Sequence, residues 1–286
     1  MRLSPPMDAF HSVPLSAEAY RTLVALIYQH SRIRLGPDKQ PMVANRLRRR
    51  LRTLGLASHD EYCALLQSRE GLDEIEHLLD LISTNHTRFF REPEHFSFLT
   101  QQILPELAPR LASEGNPLRL WSAAAASGEE PFTLAMVLAE FFRDRAFTDW
   151  QVDASDISQR VLDHGRQGIY PMEIGESLPS DLLKRYFQRG VDARAGTVRV
   201  KAELRNRVRF QRINLFQADY PVPPGQHVIF CRNVMIYFDP PSRATVIRNL
   251  TQHLAPGGYL VIGHSESLMG IPHDLVSIQQ GVYRRV

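Results

Sequence analysis

Two acids follow a run of small residues in "SAAAASGEEPF", residues 122–132, directly after the apolar stretch Leu118–Trp121. Strand, tight turn and helix in that order make the layout of a nucleotide-type binding site. Small side chains let a ligand come close to the main chain. Yet the turn has the single glycine Gly128, and Glu129 and Glu130 would repel a phosphate. The ligand that suits this turn is cationic and carries no phosphate.

Three further stretches gather groups able to bind. Asp156 closes the next apolar run in "VDASDI". An acid one βα unit after the first turn commonly accepts hydrogen bonds from ribose hydroxyls, and a cap on the following helix is the competing role. Arg232, Asn233 and Tyr237 stand in "CRNVMIYFDPP" after the run "HVIF". A plain strand-to-helix loop capped by Asp239 has the same composition. "STNHTRFFREPEHF", residues 83–96, packs Asn85, Thr87, Arg88, Arg91 and Glu92 around Phe89 and Phe90. The phenylalanines suit a plug at a domain junction; the polar residues need another reason to gather there.

No Ser-His-Asp or paired-acid signature accompanies these groups, and no Cys/His cluster has zinc spacing, so no metal is expected. The groups point to binding and orientation. S-adenosylmethionine meets the description: it has a sulfonium, an α-ammonium and a ribose diol, and no phosphate. Glu130 or Glu129 would hold the ammonium and Asp156 the ribose, which leans the reading to a methyltransferase.

The elements that must position these residues divide in two. Residues 1–15 hold three prolines and no clear period, and read as an arm. From Ser16 to about residue 83 apolar residues recur at helical spacing, as in Tyr20, Leu23, Val24 and Ile27, and strand signals are absent. Ser58 and Glu61 have the spacing of a capping box. Residues 84–97 join this small helical domain to a domain over 98–286. There strands "PLRLWSA", "DWQVDASDI", "QHVIFCRN" and "YLVIGHSES" alternate with helical segments, the pattern of an α/β fold with a parallel sheet and helices on both faces. Ligands in such sheets sit beyond the strand C-terminal ends, where the four stretches fall. Residues 168–210 break the rhythm: "GTVRVKAEL" and "RVRFQRINL" read as antiparallel strands of an inserted β-subdomain.

The chain of 286 residues is 43% hydrophobic and 23% charged, which is ordinary globular composition. Two cysteines, Cys63 and Cys231, form no disulfide framework, and a reducing, cytoplasmic setting is expected. No apolar run nears the ~18 residues of a membrane span. The net charge of +3 does not by itself call for nucleic acid.

The same residues resemble the CheR family, the chemotaxis-receptor glutamate O-methyltransferases. "STNHTRFFRE", "WSAAAASGEEPFT", "DASDIS", "INLF", "FCRNVMIYF" and "GGYLVIGHSES" occur in the family's order from about residue 16 to the C-terminus. Ala125 stands where relatives often have cysteine, and Phe132 and Thr133 where tyrosine and serine are usual, changes that should alter packing and leave the chemistry. The resemblance implies a helical N-terminal domain and a class I, Rossmann-like S-adenosylmethionine methyltransferase domain bearing the β-subdomain. It implies that Asn85, Thr87 and Arg91 close over the cofactor, and that Glu130 meets its methionine end and Asp156 its ribose. Asn214 and Leu215 should flank the adenine, Arg232 and Asn233 line the cleft, and Tyr237 lie near the transferred methyl. Arg91 and Tyr237 are then the catalytic candidates. The implied products are a receptor glutamate methyl ester and S-adenosylhomocysteine.

"KQPMVANRLRRRLRTLGL" carries a run of arginines without an acid. On a helix Val43, Leu47, Leu51 and Leu54 share one face. Arg48, Arg49 and Arg52 point away, with Arg46 and Arg50 on the flanks. A solvated face is one reading; beside an acidic receptor helix, Arg46, Arg48, Arg49 and Arg52 form a docking surface. The resemblance also implies that the loop "RGVDARAGTVRV" of the β-subdomain can grip a receptor C-terminal peptide as an added strand. The expected protein is a cytoplasmic monomer recruited to membrane-bound receptor arrays, without membrane insertion. A nucleic-acid methyltransferase is disfavoured because no exposed aromatics interleave the arginines.

Overall fold

The computed structural model describes residues 14–145 and 149–286. Most of the expected arm, residues 1–13, lies outside the described residues. The chain forms two compact units: one runs to Thr84 and takes in Tyr237–Asp239, and the other comprises Asn85–Ile236 and Pro240–Val286.

Among its described residues the first unit holds the α-helices α1 (Ala17–Ser31), α2 (Gln40–Leu54), α3 (His59–Gln67) and α4 (Leu72–Ile82). Ser16 caps α1 by accepting the Ala19 N–H at 3.0 Å. Ser58 caps α3 by accepting from Glu61 N–H at 3.1 Å, and Glu61 reaches back to the Ala57 N–H at 2.8 Å. The expected reciprocal cap is present, its return bond displaced by one residue. The apolar stripes meet in a core of Leu23, Ile27, Val43, Leu47, Tyr62 and Leu78. Inside it Glu74 accepts from both arms of Arg50 and from the Tyr62 hydroxyl at 2.6 Å. That pairing makes a buried carboxylate tolerable. Residues 237–239 join this unit through Tyr28 Oη, which donates to Asp239 at 2.5 Å, and Arg34 N–H, which donates to the Tyr237 carbonyl at 3.1 Å.

The second unit opens with α5 (Pro93–Phe98), a π-helical stretch, α6 (Leu104–Glu114), β1 (Leu118–Ser122), α7 (Glu129–Phe142), β2 (Trp150–Asp156) and α8 (Gln159–Gln167). There follow β3 (Ile169–Pro171), α9 (Ser180–Tyr186), β4 (Phe187–Arg189), β5 (Thr197–Val200), α10 (Ala202–Arg205) and β6 (Val208–Arg212). The unit ends with β7 (Gln226–Cys231), α11 (Pro240–His253), β8 (Leu254–Ile262), β9 (Leu275–Gln279) and β10 (Val282–Arg285).

The large sheet has the order β6-β2-β1-β7-β8-β10-β9, parallel from β6 through β8, with β10 antiparallel to both its neighbours. Central strands of such sheets are covered on both faces and read as continuous apolar runs, and β7 is buried at every position. α7 is buried almost all round, which its sequence "PFTLAMVL" permits because it carries no charge. The order reverses at β1: β2 lies on one side and β7 on the other. Their C-terminal ends flank the crevice where a ligand binds in this architecture.

The inserted β-subdomain is present but built differently from the expectation. Its three strands run in the order β3-β5-β4, all antiparallel. The expected partner of β5, the "RVRFQRINL" strand, is β6 and pairs parallel with β2 at the edge of the large sheet. The true partners are three-residue strands flanking α9, too short to show an alternating pattern.

Candidate active site

Every expected cofactor-binding residue lies in the second unit, most at the C-terminal ends of β1, β2, β6 and β7. Glu130, in the first turn of α7, is 7% exposed and points back toward the sheet. Its Oε1 accepts from Ser122 Oγ at 2.6 Å and its Oε2 from Arg232 Nε at 2.7 Å. One short bond thus ties the end of β7 to the turn after β1. Arg232 is itself 6% exposed, held over the rings of Phe96 and Phe230. Its Nη1 donates to the Arg91 carbonyl at 2.8 Å, to Glu92 Oε2 at 3.3 Å and to His95 Nδ1 at 3.0 Å. Nε and Nη1 carry all these bonds, and Nη2 has none among the described residues. Two N–H groups remain for an acidic ligand group.

The segment 85–92 enters through that arginine. Phe90 N–H donates to Thr133 Oγ1 at 3.2 Å, and Thr133 in turn donates to the Glu129 carbonyl at 2.7 Å. Threonine in place of the usual serine keeps this link, because only the hydroxyl is used. Glu92 accepts from Asn233 Nδ2 at 3.1 Å and from the His264 N–H at 3.2 Å as well as from Arg232. Burial pushes its carboxyl up, but Asn233 and the charge of Arg232 outweigh this and hold it below the ordinary range. Phe89, expected at the domain junction, belongs to the second unit's own core, edge-on to Tyr170 and Phe187 at 5.1 and 5.6 Å. The side chain of Arg91 donates to the His86 carbonyl at 3.1 Å.

Asp156 sits 9% exposed at the end of β2. Its Oδ2 accepts the Ala126 N–H and its Oδ1 the Ser158 N–H, each at 3.0 Å. Ser158, not Asp156, caps α8 through the Val161 N–H. Asp156 instead ties the opening turn to the end of β2. Beside it, Ile213 N–H donates to the Asp156 carbonyl at 3.0 Å, which brings Asn214 and Leu215 to the same edge. Asn214 Oδ1 shapes that loop by accepting the Phe216 N–H at 3.1 Å.

Glu129 and Glu130 part company. Glu129 accepts from Ser127 Oγ at 2.7 Å and has no arginine or lysine at ion-pair distance among the described residues. Burial raises its carboxyl above the ordinary range. Glu130, by contrast, shares one network with Arg232, Arg91, Glu92 and Asn233. The single glycine of the turn has a packing reason. Gly128 is at φ 100°, and a Cβ there would lie 2.8 Å from Tyr170 Oη and 3.0 Å from Gly165 Cα. Its freedom serves the protein interior, so the room for a ligand falls to the alanines.

Six non-glycine residues among those described have positive φ, and Phe90, Glu92, Ala126 and Asn233 belong to these stretches. Such backbone costs of order 1–3 kcal/mol each and persists where its surroundings over-determine it. Glu92, His95 and His264 also offer donor atoms within 4.8 Å of one another. Arg232, 3.0 Å from His95, already places a positive charge there.

The donor set fits S-adenosylmethionine. Asn85 Nδ2 is buried without a hydrogen-bond partner among the described residues, an unmet donor of the kind a ligand would satisfy. Glu129 and Asp156 add negative groups beside small residues, which favours a cation and rejects a pyrophosphate. Tyr237, the remaining candidate, belongs to the first unit.

In that unit the arginines of α2 divide by task. Arg46 Nη1 donates to the carbonyls of Leu81, Ile82 and Ser83, capping the end of α4. Arg50 pairs with Glu74. Arg48, Arg49 and Arg52 are exposed. Arg46, expected on the docking face, is thus spent on the fold. Ser122, Thr133, His95 and Glu266 lie within the quoted motifs, but nothing local marks them as partners of Glu130, Phe90, Arg232 and Asn233.

Comparison with known proteins accords with this geometry. The family described as "CheR methyltransferase, SAM binding domain" matches residues 85–283, and "CheR methyltransferase, all-alpha domain" matches residues 18–83. The chain is 41% identical over 271 residues to a chemotaxis protein methyltransferase of Klebsiella aerogenes, covering 95% of this chain and 90% of that one. It is 41% identical over 269 residues to the Escherichia coli (strain K12) protein of the same description, covering 94% and 91%. Among solved structures, a glycopeptide N-methyltransferase complexed with S-adenosyl-L-methionine is similar over 63% of this chain and 58% of that one, at 16% identity and a TM-score of 0.33.

Proposed function

The chain belongs to the CheR methyltransferase family, with S-adenosylmethionine as methyl donor, and we propose that it methylates glutamate side chains of chemotaxis receptors, giving methyl esters for sensory adaptation. The observation that carries this reading is the Glu130–Arg232–Arg91 connection, which gathers three of the family's motifs at the switch point of the sheet.

Bound S-adenosylmethionine supplies a methyl group already activated by its sulfonium. A glutamate with pKa about 4.3 is ionised at neutral pH, so the chain need not remove a proton. Its residues must orient and exclude water. Arg232 Nη2, Asn85 and Glu130 take the methionine end. Asp156 takes the ribose, and Asn214 and Leu215 flank the adenine. Thr87 and Arg91 close over the cofactor. Arg91 then orients the incoming carboxylate. Orientation of this kind supplies roughly 7–11 kcal/mol of a barrier.

Arg48, Arg49 and Arg52 dock the acidic receptor helix, so the encounter weakens with salt. In the β-subdomain, the loop 190–196 is the candidate grip for a receptor C-terminal peptide. Gly190 packs inside that loop, where a Cβ would meet the Arg194 carbonyl at 2.0 Å, while Gly196 at φ 81° faces open space. Among the described residues no helix is long and apolar enough to cross a membrane. The reading is tested by incubating the protein with labelled S-adenosylmethionine and receptor cytoplasmic domains, then mapping the modified residues. Alkali-labile label on glutamates is the expected result. Label on nucleic acid, or none on receptor, would overturn it.

A further inference from the structure

We propose that Glu266 is a positioning residue for methyl transfer, fixing the Arg232–Asn233 corner without touching either substrate; the inference rests on the methyltransferase reading above. Glu266 lies just beyond β8 and is 8% exposed. Its Oε2 accepts the N–H groups of Asn233 at 2.8 Å and Gly263 at 2.7 Å. Its Oε1 accepts the Met235 N–H at 2.8 Å, and the Ile236 N–H adds a further bond. Among the described residues no lysine or arginine pairs with it. The charge is balanced by main-chain dipoles alone, as in an anion-binding loop turned inward.

The gripped segment begins at the residue that follows Arg232. Asn233 is held at φ 58°, and its side chain is taken from the other direction by Glu92. Two carboxylates, the half-buried Glu92 from the 85–92 segment and the buried Glu266 beyond β8, therefore clamp one left-handed residue. Gly263 completes the seat. A Cβ at Gly263 would lie 2.6 Å from Asn233 Nδ2, 3.0 Å from Asn233 N and 2.9 Å from Glu266 Oε2. The corner has no slack in which to settle differently. A neutral side chain could accept one or two of these amides; a carboxylate accepts all of them and so sets the direction in which Arg232 leaves the strand.

Two variants test this by opposite means. Glu266→Gln keeps the volume but turns one acceptor into a donor facing N–H groups. Gly263→Ala keeps the carboxylate and presses on Asn233. Both are assayed for S-adenosylmethionine affinity by calorimetry, for kcat and KM with receptor, and for melting temperature. Misplacement of the corner should cost about a hundredfold in kcat/KM for S-adenosylmethionine in both variants, with KM for receptor and the far-UV circular dichroism spectrum unchanged. Variants that melt earlier but keep native affinity and turnover would reduce Glu266 to a structural role and overturn the proposal. If Glu266→Gln does not fold, Gly263→Ala decides alone. Failure of the unmodified protein to bind S-adenosylmethionine would instead sink the methyltransferase reading, which keeps the two failures distinct.

Discussion

Arg232 Nη1 donates to the main-chain oxygen of Arg91 at 2.8 Å, across 141 positions of sequence. The contact uses the backbone of Arg91, while the side chain of Arg91 donates to the His86 carbonyl at 3.1 Å. Loop position and side-chain chemistry can therefore be separated by mutation. Arg91→Ala should keep the loop in place, lower kcat by about two to three orders of magnitude as expected for lost transition-state orientation, and leave the melting temperature unchanged. Steady-state kinetics beside a thermal melt checks both parts; near-normal turnover removes Arg91 from the mechanism.

Glu130→Gln takes the charge away from a buried arginine while keeping its volume. Breaking one partner of a buried pair costs roughly 3–5 kcal/mol when the other charge is left uncompensated. Here Glu92 still neighbours Arg232 at 3.3 Å, so the loss of stability should fall below that range. Affinity for S-adenosylmethionine should drop at least tenfold, about 1.4 kcal/mol, because the arginine is no longer aimed. Titration calorimetry at one temperature and a denaturant curve separate the two effects.

His95 makes the second unit sensitive to acid. Burial, and then the charges of Arg232 and His264, push its imidazole down to about 4. Nδ1 accepts from Arg232, so the neutral ring must carry its proton on Nε2. The unfolded chain takes up a proton near the ordinary histidine value of about 6.5, whereas the folded chain resists it. Stability is thus full above that value and falls as the pH drops toward 4. Melting temperature should fall by several degrees between pH 7 and pH 5, and His95→Gln should flatten the curve. An equal slope in the variant assigns the effect elsewhere.

Charge reversal at Arg49 and Arg52 should raise KM for receptor about tenfold at low salt, with S-adenosylmethionine affinity unchanged and the difference shrinking as salt is added. Arg46→Ala should act on stability instead, since it strips three carbonyls at the end of α4 of their donor. The pair of experiments distinguishes a docking surface from a folding device on one helix.

Much of this was legible in the sequence because it rests on local signals. The Ser58 cap, the alternation of strand and helix, and the acids after a small-residue turn need only near neighbours. What escaped depends on distant partners. Nothing in "RVRFQRINL" says that it pairs parallel with β2 and leaves the short strands around α9 to partner β5. Arg46 on the flank of α2 and Arg48 on its outer face both read as surface charges, and only the position of α4 tells the cap from the exposed charge. Gly128 looked like room for a ligand because Tyr170, which fills that space, is 42 residues away in sequence. Glu266 shows nothing of its grip until β7 and β8 are side by side.

The left-handed backbone at Phe90, Glu92, Ala126 and Asn233 bears on any effort to make this protein more heat-resistant. Glycine at such a position relieves about 1–2 kcal/mol of steric cost and gives back roughly 0.5–1 kcal/mol through the greater freedom of the unfolded chain. The balance leans toward glycine by up to about 1 kcal/mol where no side-chain contact is lost. Glu92 and Asn233 would lose their hydrogen bonds and Phe90 its ring contact, but Ala126 has only a methyl group to lose. A library ranked by melting temperature will therefore favour glycine at Ala126, and only an activity screen will find that the scaffold has lost one of its stiffest joints.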